Sequence, residues 1–148
     1  MDYTYSDRSM AKIKFNKNIS NNKNTYLPVF GENGLYGKII NSSNSVGNVM
    51  LLDDIFSYTP VKIGGRNFIA KGMGKDNDLL IVNISKNVLQ QKTLSNISVE
   101  TSGLSGCYPE GFKIGISYID PETRSLKVKL LTKHVSRIVI IINKKKQV

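Results

Sequence analysis

Glycine- and proline-bearing links recur along this chain and set off short segments on either side of them. They fall at 31–34, 42–47, 64–65, 72–74, 102–111 and 120–122. These are the residue types that tight turns and positive φ demand. Between them the apolar residues alternate with polar ones at period two. Ala11, Ile13 and Phe15, for example, share one face of an extended segment. The pattern predicts strands over 11–15, 27–30, 36–40, 48–52, 61–63, 68–70, 79–84, 97–101, 114–119, 126–131 and 137–142, with a single helical turn over 85–91. Many short strands and no strand-helix-strand rhythm indicate an all-β fold of sandwich or barrel type.

A length of 148 residues fits one domain or two very small ones. Residues 1–7 are polar and aperiodic and read as a disordered lead-in. The loop 16–24 is crowded with Asn, Ser and Lys and offers nothing to a core. The reading adopted is two small antiparallel barrels packed together, the first from 8–62 and the second from 63–142, with a basic tail at 143–148. The last strands could instead return to complete the first barrel. A faint internal repeat supports the pairing of units. Gly37-Lys38-Ile39-Ile40 leads through a turn to Val49-Met50-Leu51-Leu52 and then to Pro60-Val61-Lys62-Ile63. Gly115-Ile116-Ser117-Tyr118 leads to Val128-Lys129-Leu130-Leu131 and then to Ile138-Val139-Ile140. Hairpins of matched length arising independently would look the same.

Chemistry is scarce. Cys107 is the only cysteine, so no intramolecular disulfide and no cysteine-based zinc site can form, and its place in a turn suits a structural thiol. The one histidine, His134, lies beside Lys133 with no serine in a nucleophile motif, which points away from a serine hydrolase. Asp53-Asp54 and Asp76-Asn77-Asp78 lack the ligand spacing of a calcium loop and read as turns. No catalytic residue, cofactor or metal is expected. No stretch approaches the roughly 20 apolar residues of a membrane span. Lysine and arginine total 21 against 11 acids, a formal charge of +10. A small basic β-barrel binding nucleic acid is therefore the alternative function. Lys12, Lys14, Lys127 and Lys129 alternate with apolar residues, however, as the solvated face of strands does.

The most informative segment is Thr101-Ser102-Gly103-Leu104-Ser105-Gly106-Cys107-Tyr108-Pro109-Glu110-Gly111-Phe112-Lys113-Ile114-Gly115. Its glycines and Pro109 stiffen a turn region. Leu104, Tyr108 and Phe112 then either close the core or face a partner. This segment resembles the signature of the rod shape-determining protein MreC family in the order of Thr101, Ser102, Gly103, Leu104, Gly106, Pro109, Gly111 and Gly115. Asn33-Gly34-Leu35-Tyr36-Gly37 resembles a second family turn. Val49 to Asp53 followed by Pro60-Val61 resembles its leucine-rich strand and proline-valine pair. Departures are Ser95-Asn96, where the family has a glycine-aspartate turn, and Tyr36 and Phe112 in place of smaller aliphatic residues.

The resemblance implies a non-enzymatic scaffold on the periplasmic side of the bacterial inner membrane. Its partners would be a class B penicillin-binding transpeptidase, MreD and, through it, MreB. It also implies membrane attachment only through a helix outside this sequence, and it leaves self-association open. Gly34, Leu35, Gly37, Pro60, Ser102, Gly103, Leu104, Gly106, Pro109, Gly111 and Gly115 would be the structural turns, with Leu104, Tyr108 and Phe112 as partner-facing candidates.

Overall fold

The computed structural model describes residues 8–14, 27–31, 34–43, 45–89, 92–104, 108–131 and 138–140. Within them the strands are β1 (Met10–Lys14), β2 (Leu27–Gly31), β3 (Gly34–Ser43), β4 (Val46–Leu51), β5 (Tyr58–Ile63) and β6 (Arg66–Lys71). They continue with β7 (Leu79–Val82), β8 (Ser98–Thr101), β9 (Lys113–Ile119), β10 (Leu126–Leu130) and β11 (Ile138–Ile140). Every strand expected from periodicity is present, and in several the burial alternates along the strand; β5, for instance, buries Thr59, Val61 and Ile63. The helical turn is α1 (Lys86–Leu89), and a 3-10 turn at Lys92–Leu94 follows it without any advance signal. β7 ends at Val82 rather than running to residue 84, since Asn83 takes a positive φ of 58°. The lead-in, Phe15, the loop 16–24, Gly106, Cys107, His134 and the basic tail lie outside the described residues.

Six strands close a barrel in the order β10-β7-β6-β5-β8-β9, and five form a second sheet, β1-β4-β3-β2-β11. All pairings are antiparallel. Among the described residues only the second unit is a closed barrel. β5 belongs to that barrel, so 58–62 fall with the second unit and not with the first, where an 8–62 boundary would put them. β11 pairs with β2 at the edge of the five-stranded sheet. The reason is edge pairing: β5 finds partners on both sides, β6 and β8, within the barrel.

The internal repeat is visible residue by residue. In the first unit Val29 stands opposite Gly37, and the register then slips so that Phe30 meets Leu35. In the second, Val99 stands opposite Gly115, and the register slips so that Glu100 meets Lys113. Each slip is a bulge that leaves one extra residue, Tyr36 or Ile114, and strengthens the local twist. Gly37 pairs with Leu51 and Gly115 with Leu130, which extends the match into both hairpins. The neighbours on the far side match as well: Ile140 lies opposite Val29, and Ile63 opposite Val99. Strands β1, β4, β3, β2 and β11 thus correspond to β7, β10, β9, β8 and β5. The strand that follows each hairpin crosses over to serve the other unit.

This exchange knits the core. The main apolar cluster fills the barrel with Val61, Ile63, Leu79, Val99, Ile114, Leu126 and Val128, and it also takes in Phe30, Leu35 and Leu52 from the first unit. A smaller cluster of Ile13, Val29, Ile39 and Val49 sits under the five-stranded sheet.

Candidate functional site

Thr101, the last residue of β8, ties that strand to the residues just before β9. Thr101 is fully buried; its hydroxyl donates to the carbonyl of Pro109 at 2.5 Å and accepts from the amide of Phe112 at 2.9 Å. Its own carbonyl accepts from the Gly111 amide at 2.8 Å, and the next amide, Ser102, reaches the Pro60 carbonyl of β5 at 3.1 Å. Gly103 and Gly111 adopt φ of 77° and 91°, a region that side chains disfavour. A Cβ on Gly103 would also lie 3.0 Å from that of Glu110. Glu110 in turn pairs with Lys62 at 3.1 Å.

The three apolar residues of this loop separate by role. Tyr108 is 3% exposed and joins the main core, with the Lys38 ammonium 5.7 Å from its ring centre. Phe112 is half out; its ring lies 4.7 Å from that of Phe30 at an interplanar angle of 55°. Leu104 is 68% exposed, the most exposed large apolar side chain among the described residues. Packing therefore claims Tyr108, while Leu104 is presented to solvent.

The two motifs flagged in the sequence, about 70 residues apart, meet here. Lys38 covers Tyr108, Phe30 touches Phe112, and a Cβ on Gly34 would come within 3.0 Å of the Lys113 carbonyl. Leu35 is fully buried in the shared core beneath them. Pro60 sits in β5 opposite Ile69. Gly37 and Gly115 lie away from the loop, each at the foot of its hairpin, where a side chain would strike the facing strand.

A second contact region escaped sequence reasoning. Asp53 and Asp54, in the link from β4 to β5, are both buried. One Asp53 oxygen accepts the amide of Asp76 at 2.9 Å, so two acidic pairs that read as separate turns come together. Beside them lies a cavity of about 80 Å³ lined by Ser9, Tyr36, Leu52, Asp53, Asp76 and Leu130. Burial raises the Tyr36 phenol above its usual range, and the charges of Asp53 and Asp76 push it further. The only advance signal was adjacency of acids to a strand end. Among the described residues no group of three or more His, Cys, Asp or Glu side chains converges as a metal site. The geometry braces, locks and displays.

Comparison with known proteins agrees with this architecture. The family profile described as "Rod shape-determining protein MreC, barrel core" matches residues 5–134. The cell shape-determining protein MreC of Caulobacter vibrioides is 38% identical over 90 residues, and that of Haemophilus influenzae 32% over 91. Each match takes in 60% of this chain and only 25% of the relative's length. The crystal structure of MreC from Pseudomonas aeruginosa superposes with a TM-score of 0.72 at 19% identity, covering 93% of this chain and 91% of that one. A structure of the major periplasmic domain from the cell shape-determining filament MreC gives 0.64 at 21% identity, covering 91% and 88%. The profile match, the paired motifs and the fold together place this chain in the MreC family of rod shape-determining proteins.

Proposed function

We propose that this chain is a docking module without catalytic activity, on the periplasmic side of the inner membrane, that helps maintain rod shape. It binds the periplasmic domain of a class B penicillin-binding transpeptidase and, with MreD and indirectly MreB, organises cell-wall elongation. What supports the reading is Leu104: a bare apolar side chain in the link between β8 and β9, three residues after Thr101, which pins the far end of that link through Pro109 and Phe112. Phe112, 36% exposed in the same link, adds apolar surface. A few residues that fill desolvated pockets carry most of the energy in many interfaces.

Pull-down of a transpeptidase periplasmic domain tests this. Capture should persist with little change as salt rises and should fall at least tenfold in Leu104→Ser. Binding to single-stranded nucleic acid that collapses steeply with salt, with no capture of the transpeptidase, would favour the basic-barrel alternative.

A further inference from the structure

We propose that Asp54 is a latch that ties the segment leading into β1 to the link between the two units, so that the order of β1 depends on this one carboxylate while the barrel stands without it. The inference does not depend on which partner the module binds.

A carboxylate fully removed from water is costly unless its oxygens are hydrogen-bonded. The Asp54 side chain has no solvent exposure. One of its oxygens accepts the amide of Phe56 at 3.1 Å, a local bond that shapes the turn. The other reaches across the chain to the Arg8 guanidinium at 2.8 Å and the Ser9 amide at 2.6 Å. Arg8 is fixed further: its guanidinium carbon lies 4.7 Å from the centre of the Phe56 ring, and a terminal nitrogen reaches the Met10 sulfur at 3.4 Å. Ser9 is buried, and its carbonyl accepts from Leu51 at 3.0 Å.

The same link is pinned from the barrel side. Asp53, next in sequence to the latch, turns the other way: its backbone carbonyl accepts from the Gly74 amide and one carboxylate oxygen accepts from the Asp76 amide, which holds the loop after β6. Gly72 lets that loop approach so closely that a Cβ there would lie 2.0 Å from the Asp54 carbonyl. Two adjacent carboxylates thus divide one task, Asp54 gripping the chain before β1 and Asp53 gripping the barrel.

Hydrogen exchange measured on the whole chain decides the matter. Asp54→Asn puts an amide among donors, and Arg8→Gln removes the cation while leaving the turn intact. Both should speed exchange over 9–14 at least tenfold while β8, β9 and β10 keep their native rates. Asp53→Asn should instead speed exchange over 72–78 and spare 9–14. Uniform acceleration through the barrel would make Asp54 an ordinary stabilising residue and overturn the latch. Unchanged rates over 9–14 in Arg8→Gln would overturn it too, and that variant alone decides should Asp54→Asn fail to fold.

Discussion

Two glycines at matching positions show how a single missing side chain sets a hairpin. A Cβ on Gly37 would come within 2.2 Å of the Met50 carbonyl oxygen, and one on Gly115 within 2.1 Å of that of Lys129. In both cases the obstacle is backbone in a paired strand, which cannot swing aside as a flexible side chain would. Gly37→Ala and Gly115→Ala should therefore each destabilise the fold by about 1–3 kcal/mol, the usual range for overpacking a tight site. Denaturant midpoints measure this, and the two costs should be similar because the two environments are. Sequence reading picked out both glycines but attributed them to turns. Their true constraint is a neighbouring strand, and no local pattern reveals how closely that strand approaches. Leu104, Tyr108 and Phe112 were equally legible as apolar residues in a braced loop. Which of them is buried depends on Phe30 and Lys38, two residues far away in the chain.

Among the elements, the described ends of the link between β8 and β9 are joined through Thr101. Thr101→Val keeps the shape of the side chain but removes a hydroxyl that both donates and accepts inside the protein. Leaving the Pro109 carbonyl and the Phe112 amide short of a partner should cost about 1–3 kcal/mol. Limited proteolysis should then find the loop at 102–112 while β9 and β10 stay protected. Equal protection in the variant and the native chain would show that the glycine and proline geometry suffices. The strands themselves were almost wholly readable, since burial on one face writes a period of two into the sequence. Their ends were not, because a strand stops where its partner stops. β3 runs on to Ser43, for example, because Ser43 still finds Val46 across the hairpin.

On the scale of the whole molecule, the exchanged strands and the shared core predict one unfolding event. Phe30, Leu35 and Leu52 belong to the first unit yet pack in the barrel's cluster, and β5 and β11 each follow one hairpin while completing the other unit. Neither unit can open without exposing the other's interior, so heat should unfold both in a single transition with equal calorimetric and van't Hoff enthalpies. Two resolved transitions would mean that the junction contributes little. The sequence by itself determined the strands, the turns, the all-β class and the outline of a repeat, because alternation, glycine and proline act within a few residues of themselves. It could not decide where β5 would go, that the two motifs would touch, or that Asp54 would hold Arg8. Those outcomes follow from which strand edges and buried polar groups remain unsatisfied once the chain collapses, and only the folded molecule brings such groups within reach of one another.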